Sequence, residues 1–575
     1  MKLNKLITMF FSVIFTAVNI NLLTIPAYAD SLKDDTEHYA QGGLWSEMES
    51  DEDGCGIPSR DTIPSAYDIT SNPNTSIYFP AIGYQGEIES CAGWATTYYQ
   101  YTYEVNKFRN VATTPSNTFS PSWTYNYING GSNIAVYLND AYFVLKNQGA
   151  MLLSDYPHSS SLSSYSFAWS SNLDKMRSAL RYRSTVNTLS VPYTSLASLN
   201  TIKSKIASGK PAVIWTNPNG WSIMSNSSGQ KAVVRDSYSN GGHFMTVVGY
   251  DDNFSITVNN QTMSGALKLA NSWGANWSNG NNGYIWVMYD ALLLNSAYGT
   301  NWQTGMNGER KPVFGFTSYN VYTNTYIHYN NQFTFMTIHE CDNYFIETVK
   351  FTSYEPFLLS IYGKNGSAST SSTYQKKQAI LGAPLLSTPT TRYLVFDYTN
   401  PDNSFNVLSN LSTSWSTTLY STSLSSTYNI QAKLTDNLGN LIEPYYGENG
   451  TISNNMYTKT HYSNIAKGRV SAYDNANITE ADATLILQYI ARIVDFSSLQ
   501  YVLADYNEDG IVDVSDVVLM YDDISSKNGH VFSLNDILPG TNYSIKDFIE
   551  DTLHIPYETY VNTHMTELDS IGVIY

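Results

Sequence analysis

A cysteine at the start of a predicted helix is the feature that most constrains the fold of this chain. Cys91 ends a polar stretch that begins at Gln85, and the run 96–108 after it contains neither Gly nor Pro, which predicts a helix. At a helix start, unpaired backbone amides and the helix dipole favour a thiolate over a thiol. Cys91 is therefore a candidate nucleophile; the alternative is a buried core cysteine, the commoner role for a lone cysteine beside small residues.

Two patterns further along the chain supply the partners that a nucleophilic cysteine needs. His243 follows two glycines and begins an apolar run to Tyr250, where an imidazole can be positioned and partly desolvated. Asn271 ends a second strand-like run beside Trp273, and its amide can fix the tautomer of the histidine. The stretch between them leaves room for a hairpin around residues 259–261.

The order of Cys, then Gly-His before an apolar strand, then Asn-Ser-Trp-Gly resembles the papain family of cysteine proteases. The resemblance covers roughly residues 62–292 and implies an α+β catalytic domain with no cofactor for catalysis. It implies a triad of Cys91, His243 and Asn271. It also implies that Gln85, six residues before the cysteine, joins the cysteine's backbone amide in an oxyanion hole.

The resemblance assigns roles to residues outside the triad as well. Asn129, Gly130 and Gly131 resemble the glycine-bearing strand that pairs with the substrate backbone in this family. Trp273 is expected to shield the hydrogen bond between the histidine and the asparagine from water. These assignments follow from the family pattern, and we treat the three residues 129–131 as candidate substrate-binding residues.

The sequence departs from the family pattern around the nucleophile. Ala92 stands where a tryptophan usually follows the cysteine, with Trp94 two places later, and Ile88 replaces a cysteine that often forms a disulfide. Glu87 and Glu89 add negative charge near a thiol that must ionise. Such like charges oppose activation unless both side chains point into water.

The length and texture of the chain predict several domains, because 575 residues are about twice the size at which a single core stops growing. The predicted fold class is multidomain: an α+β papain-like catalytic domain, a β-sandwich domain and a small α-helical calcium-loop module. The predicted segments are a signal peptide (1–29), an acidic leader or short propeptide (30–61), the peptidase domain (62–306), the β-sandwich domain (307–445), a linker (446–465), the calcium-loop module (466–526) and an unassigned C-terminal region (527–575).

The N-terminus has the pattern of a secretory signal peptide. Lys2 and Lys5 precede an apolar run that ends in the small-x-small sequence at 27–29. A single-pass anchor is the alternative, but the cleavage pattern follows the run at once. We therefore expect a secreted, extracellular protein with no membrane attachment after removal of the signal.

Charge and cysteine content exclude several other classes. The formal net charge of −18 opposes binding to nucleic acid. Cys55, Cys91 and Cys341 are too few and too scattered for a disulfide scaffold or a thiolate zinc site. Cys55 in the leader could cap the active-site thiol through a disulfide, but an incidental free cysteine is the more common outcome.

A second motif predicts a calcium site near the C-terminus. Residues 505–516 place oxygen-bearing side chains at positions one, three, five, nine and twelve of a twelve-residue loop, with Gly510 at position six. The candidate ligands are Asp505, Asn507, Asp509, Asp513 and Asp516, with Ile511 at position seven. An earlier copy of the same unit ends at Asp482, but Ser471 and Tyr473 bring no carboxylate to its opening positions. We therefore expect one strong calcium site.

The duplicated loop-helix unit resembles dockerin modules, which attach enzymes to cohesin-bearing scaffold proteins such as those of cellulosomes. The resemblance implies calcium as the only cofactor and a cohesin-type scaffold protein as a partner. It also implies a place in a cell-surface cellulosome-like complex.

Together these features predict a secreted cysteine peptidase that hydrolyses protein or peptide substrates through an acyl-enzyme intermediate. A cell-wall peptide amidase also uses Cys and His, but Gln85 and the Asn-Ser-Trp-Gly run favour the peptidase. The non-enzyme alternative is a scaffold-borne binding protein whose protease domain is vestigial. Labelling of Cys91 by a papain-family epoxide inhibitor would support the enzyme, and an inert thiol would support the vestigial alternative.

Overall fold

The computed structural model describes most of the chain from residue 40 onward. The described residues are 40–44, 62–191, 197–236, 242–258, 261–292, 303–304, 310–311, 317–320, 325–328, 331–353, 359–365, 375–380, 390–398, 407–420, 429–442, 451–453, 456–527, 533–538, 542–571 and 574–575. The predicted signal peptide, most of the leader and Cys55 lie outside these ranges.

Helices form one side of the first domain. The run predicted to be helical consists of three consecutive segments, Cys91–Gly93, the π-helical Trp94–Tyr101 and Thr102–Phe108. This run is buried almost from end to end, as expected of a central helix. The other helices of this domain are Pro121–Ile128, Leu138–Gln148, Leu173–Ala179, Ala197–Ala207 and Tyr289–Leu292, with 3₁₀ turns at Ser76–Tyr78, Pro115–Asn117, Leu162–Ser164 and Pro218–Gly220.

A nine-stranded sheet forms the other side of this domain. Its strand order is Tyr182–Val191, Asn331–Glu340, Ala212–Thr216, His243–Val258, Gln261–Ala270, Tyr284–Met288, Lys231–Asp236 and Trp221–Ser225, with Ala66–Asp68 also paired to His243–Val258. The strand that begins at His243 and the strand that ends just before Asn271 are antiparallel neighbours, with Val258 opposite Gln261. This is the hairpin predicted from the spacing.

The central helical run packs directly on the sheet. Thr246 donates a hydrogen bond from its hydroxyl to the carbonyl of Ala95 (3.1 Å). The buried side chain of Gln100 donates to the carbonyls of Pro211 (3.0 Å) and Thr334 (2.9 Å). Because these buried polar groups are paired, they fix the helix against the strands without an unsatisfied donor. The start of the helix thus lies close to the start of the strand that carries His243.

The predicted boundary between the first two domains needs a correction. Asn331–Glu340, assigned from the sequence to the β-sandwich domain, pairs over ten residues with Tyr182–Val191 and also contacts Ala212–Thr216. The strand therefore belongs to the first sheet. Its alternation of buried and polar residues is compatible with either sheet, and only the pairing decides between them.

Two further sheets follow. The first has the order Thr390–Asp397, Ile346–Ser353 and Asn429–Thr435, and the second has the order Gln375–Ile380, Leu359–Asn365, Ser412–Tyr420, Met456–Asn464 and Thr451–Ser453. Two short hairpins pair Gln303–Thr304 with Arg310–Lys311 and Thr317–Asn320 with Thr325–His328.

The second sheet corrects the predicted linker. Residues 446–465 read as a linker, yet Met456–Asn464 is a strand that pairs along its whole length with Ser412–Tyr420. Its alternating Tyr and Thr residues have high β-propensity, which outweighs the Asn and Gly that favoured a linker.

The C-terminal part is helical. The predicted calcium-loop module contains Glu480–Ile490, Ser498–Ala504 and Val514–Lys527, and the region that the sequence left unassigned contains Ile545–Asp547, the π-helical Phe548–Thr552 and Tyr557–Ile571. The unassigned region folds onto the module, since its helix Tyr557–Ile571 contacts the module helix Val514–Lys527. No helix in the described ranges is long and apolar enough to cross a membrane.

Candidate active site

The histidine and the asparagine predicted for the triad are hydrogen-bonded. His243 Nε2 lies 2.8 Å from Asn271 Oδ1, and both side chains are buried. The backbone amide of Ser272 also donates to this oxygen (2.8 Å), so the oxygen is the acceptor and Nε2 carries the proton. Nδ1 of His243 makes no hydrogen bond of good geometry with the described residues, although the backbone of Gln41 in the leader lies near enough to raise the pKa of the ring. The ring is thus held in the tautomer that can accept a proton at Nδ1.

Aromatic packing protects this pair from water. The indole of Trp273 stacks on the imidazole of His243, with ring centroids 4.6 Å apart and an interplanar angle of 29°. Trp277 packs edge-on against the same indole at 5.1 Å. The geometry agrees with the shielding expected for Trp273, because a hydrogen bond is stronger where water is excluded.

Cys91 lies at the helix start beside the strand that carries the histidine. Its sulfur accepts hydrogen bonds from the backbone amides of Phe244 and Ala92, which favour the thiolate. Burial has the larger, opposite effect and, with a contribution from the charge of Glu89, raises the pKa of Cys91 to about 12. Burial likewise lowers the pKa of His243 to about 4. In this form of the protein, both groups are therefore neutral at physiological pH.

Gln85 is fully buried, and its amide is oriented by a neighbour that sequence reasoning missed. Ser272 donates from its hydroxyl to Gln85 Oε1 (2.6 Å), which turns Nε2 towards the carbonyls of Ile88 (2.8 Å) and Ala40 (2.9 Å). The backbone amide of Gln85 donates to the carbonyl of Ser272 (2.8 Å). Nε2 is thus a donor directed at whatever occupies the cleft, as an oxyanion-hole donor must be.

His158 supports the same loop from the other side and was also missed. Its Nε2 donates to the carbonyl of Gln85 (3.1 Å), and its Nδ1 accepts from the hydroxyl of Ser122 (2.8 Å). The ring packs edge-on against Trp94, with centroids 5.1 Å apart. No local sequence signal marks this histidine, because its partners lie far away along the chain.

Residues 40–44 of the leader, here called the cleft segment, lie against these side chains. The carbonyl of Ala40 accepts from Gln85 Nε2 and from Trp273 Nε1 (2.9 Å each). The backbone amide of Gly43 donates to the carbonyl of Gly242, next to the candidate base (2.8 Å). Residues of the protein's own leader therefore cover the candidate catalytic residues.

The cleft segment pairs with a strand that the sequence did not mark. Gly43 and Leu44 run parallel to Val136 and Tyr137, and the amide of Val136 donates to the carbonyl of Gly42 (2.9 Å). This short strand precedes the helix Leu138–Gln148. It presents the backbone donors that an extended peptide needs.

Asn129, Gly130 and Gly131 instead form a turn at the end of the helix Pro121–Ile128. Asn129 is buried and accepts at Oδ1 from the amide of Gly131 (2.8 Å), and both glycines have positive φ angles of 61° and 78°. The structure brings Gln85, His243 and Asn271 together around the cleft but places the pairing strand a few residues after this turn.

The calcium-loop residues converge on backbone amides. Asp516 accepts from the amides of Tyr506 (2.6 Å), Asn507 (3.1 Å) and Asp513 (2.9 Å). Burial raises the pKa of Asp516 to about 6, and Oδ1 of Asp505 is buried without a hydrogen-bond partner among the described residues. These carboxylate oxygens fit a hard cation such as calcium. In the described ranges, no three His, Cys, Asp or Glu side chains lie close enough together to hold a metal ion.

In the earlier copy of the loop, an arginine side chain occupies the position near the carboxylates where a metal ion would bind. The guanidinium of Arg469 contacts the carboxylate of Asp482, the last residue of that copy, and donates to Asp474 (2.8 Å). The other oxygen of Asp482 accepts from the amide of Ser471 (2.9 Å). An arginine thus neutralises the carboxylate that a calcium ion would otherwise balance.

Comparison with known proteins assigns the class of the first domain. A family model described as "Papain family cysteine protease" matches residues 63–298. With the α+β architecture described above, this match makes the region a papain-like catalytic domain. The protein is a cysteine-type peptidase, and its substrates are proteins or peptides.

Solved structures with a similar fold include several cysteine proteases. Xylellain from Xylella fastidiosa is 18% identical over 45% of this chain and 93% of its own (TM-score 0.32). The protease and lectin-like domains of Cwp84 from Clostridium difficile, described as a surface layer associated protein, are 14% identical over 74% of this chain and 93% of their own (TM-score 0.34). Procathepsin B S9 from Trypanosoma congolense is 15% identical over 43% and 80% (TM-score 0.31). The search of curated proteins finds no match.

Proposed function

We propose that the protein is a secreted peptidase in which Cys91, His243 and Asn271 form the catalytic triad. The observation that carries this proposal is the 2.8 Å hydrogen bond between His243 and Asn271, which leaves Nδ1 of the histidine as a base. Nδ1 takes the proton of Cys91, and the thiolate attacks the scissile carbonyl carbon. The resulting oxyanion accepts hydrogen bonds from Gln85 Nε2 and from the backbone amide of the cysteine.

The remaining steps use the same residues. His243, now protonated, gives its proton to the leaving amine, and an acyl-enzyme remains on the sulfur of Cys91. A water molecule, deprotonated by the neutral histidine, then attacks the thioester and releases the acid. Asn271 holds the imidazole in one orientation through both proton transfers.

The cleft segment supports a propeptide role for the leader. While it lies over Cys91, both catalytic groups are buried and neutral, and a substrate could not reach Gln85. Removal of the leader would hydrate the site, which favours the charged thiolate–imidazolium pair. The protein therefore has a closed form, with the leader in the cleft, and an open, active form without it.

Alkylation tests the peptidase proposal against the vestigial alternative. A papain-family epoxide inhibitor should label Cys91 after limited proteolysis of the leader, and peptide mapping should locate the label there. The same treatment of a His243→Ala variant should label far more slowly, because the base is missing. Absence of labelling in the processed protein, with normal folding, would support a vestigial domain.

We further propose that residues 466–526 bind one calcium ion and attach the enzyme to a cohesin-type scaffold protein, as part of a cell-surface complex. The ligand set of the loop 505–516 and the unpaired oxygen of Asp505 support the calcium site. Co-migration of the full chain with a cohesin domain in the presence of calcium, lost in Asp505→Ala, would support the attachment; no binding in calcium would contradict it.

A further inference from the structure

Glu89 is a carboxylate beside the nucleophile that the triad mechanism does not use. It is two residues before Cys91, and its backbone amide is held by Asn133 Oδ1 (2.9 Å). The side chain is half-buried, and burial raises the pKa of its carboxyl group. Its charge reaches the active site, since it contributes to the raised pKa of Cys91 and of the buried Tyr125.

Glu89 also lines the cleft. A Cβ atom at Gly42 of the cleft segment would lie 2.5 Å from the Cβ of Glu89 and 2.1 Å from its carbonyl oxygen. Only a glycine with the positive φ of 85° found at Gly42 fits this close approach. Whatever replaces the cleft segment in the open form will therefore lie against the backbone and Cβ of Glu89, within reach of its flexible side chain.

The neighbouring Glu87 provides a contrast. It is exposed and directed away from the cleft, where its carboxylate accepts from the amide of Leu162 (2.7 Å). The carboxylate of Glu89, in comparison, has no hydrogen bond or ion pair with any described residue. A half-buried carboxylate is only partly hydrated, so a cationic group of a ligand in the cleft could complete its solvation through an ion pair.

We propose that Glu89 is a specificity-determining residue that selects peptides with a positively charged group beside the scissile bond, through an ion pair with that group. This inference rests on the proposed peptidase function and names its substrate class. The charge is supplied by a lysine or arginine side chain or by the free N-terminus of a short peptide, since both present an ammonium-like group to the carboxylate.

The ion pair has a consequence for the nucleophile. With Glu89 unpaired, its negative charge opposes ionisation of Cys91. A cationic substrate neutralises that charge on binding and thereby favours the thiolate. A basic peptide is thus expected to assist its own cleavage, which an uncharged peptide of the same shape cannot do.

The test compares matched fluorogenic peptides on the full chain after leader removal, with active sites counted by epoxide titration of Cys91. N-acetylated peptides carry either arginine or its neutral isostere citrulline beside the scissile bond, and a third peptide carries citrulline with a free N-terminus. Wild type should cleave a charged peptide with a kcat/KM about tenfold or more above the acetylated citrulline peptide. The preferred charged peptide identifies the source of the charge.

Variants then assign the preference to one carboxylate. Glu89→Gln should bring the ratio of charged to uncharged peptide close to one, while Glu87→Gln, the matched control, should keep the wild-type ratio. Equal rates on all three peptides in wild type, or an unchanged ratio in Glu89→Gln, would overturn the inference. Neither result contradicts the proposed function, which fails separately if no Cys91 is titrated or if no peptide is cleaved. Glu89→Asp keeps the charge but moves it, and it provides a second variant should Glu89→Gln not fold.

Discussion

Single side chains set the chemistry of this site, and the half-buried His158 is an example outside the triad. Its two ring nitrogens bind Ser122 and the carbonyl of Gln85, so the neutral ring connects a helix to the loop that carries the oxyanion donor. Burial lowers the pKa of His158 to about 4. A proton on this ring would add a charge to a buried site and turn the acceptor Nδ1 into a second donor.

The lowered pKa of His158 predicts a loss of stability in acid. In the unfolded chain the pKa of a histidine is about 6.5, so between pH 6.5 and pH 4 the unfolded state binds more protons than the folded state. The free energy of unfolding should therefore fall as the pH drops through this window, by about 2 kcal/mol for this one residue. Urea unfolding at pH 7 and pH 4.5 measures this change. The free energy of unfolding should fall less between the two pH values in His158→Gln than in wild type, and an equal fall would contradict the role of His158.

Removal of triad side chains should separate their roles. Cys91→Ala should lower peptide hydrolysis below about a hundredth of wild type without changing the thermal midpoint, because the nucleophile is lost but the packing is kept. His243→Ala should be similarly severe. Asn271→Ala should be milder, because the base remains and only its orientation is lost. Steady-state kinetics of the processed protein measures all three, and an Asn271→Ala effect equal to that of Cys91→Ala would contradict the assigned role.

At the scale of elements, the cleft segment and the strand Val136–Tyr137 decide whether the site is open. Their parallel pairing is only two residues long, and it is supported by hydrogen bonds from Gln85 and Trp273 to Ala40. Gly43 adds a hydrogen bond from its amide to the carbonyl of Gly242 (2.8 Å), and its carbonyl accepts from Trp215 Nε1 (3.2 Å). Opening of the site must break this small set of contacts.

Substitution of a glycine in the cleft segment should open the site. Gly42→Ala would place a Cβ 2.1 Å from the carbonyl of Glu89 and would strain a residue with a φ of 85°. The segment should leave the cleft, and Cys91 of the unprocessed chain should be alkylated at least about tenfold faster. Gly229→Ala is the control, since Gly229 also has a positive φ of 78° but open space around it. If the two variants were alkylated at the same rate, the cleft segment would not be what protects the thiol.

At the scale of the whole molecule, the peptidase domain and the C-terminal module carry different chemistry, although their buried apolar residues belong to one connected core. The two copies of the loop-helix unit differ in how their carboxylates are balanced. The loop 505–516 has oxygen ligands for a metal ion, whereas the carboxylates of the earlier copy pair with the guanidinium of Arg469. The β-sheets lie between them in the chain, and Tyr473 of the module contacts Asp436 at their edge (2.5 Å).

Calcium should therefore bind at one site and leave catalysis unchanged. Calorimetric titration of the full chain should give a stoichiometry near one, abolished by Asp505→Ala. Chelation should loosen residues 466–526 in hydrogen exchange while peptidase activity stays within about twofold, because the triad needs no metal. Arg469→Gln should destabilise the module with or without calcium, because it removes the positive charge that pairs with the buried carboxylate of Asp482. Two tight sites, or none, would contradict the assignment.

The set Cys91, His243 and Asn271 was predicted from the resemblance of the sequence to a family pattern, and the structure does place His243 beside Asn271. The calcium loop was predicted from its twelve-residue spacing, and calcium binding stays a prediction. The hairpin between His243 and Asn271 was predicted from the number of residues that separate them, and it is present in the structure. Only the tertiary structure decided that Asn331–Glu340 belongs to the first sheet and that leader residues 40–44 fill the cleft. It also showed that the carboxylate of Glu89 has no hydrogen bond or ion pair with the residues that the structure describes. These features depend on contacts between residues that are far apart in the chain, and such contacts leave no periodic signal in the sequence around either partner.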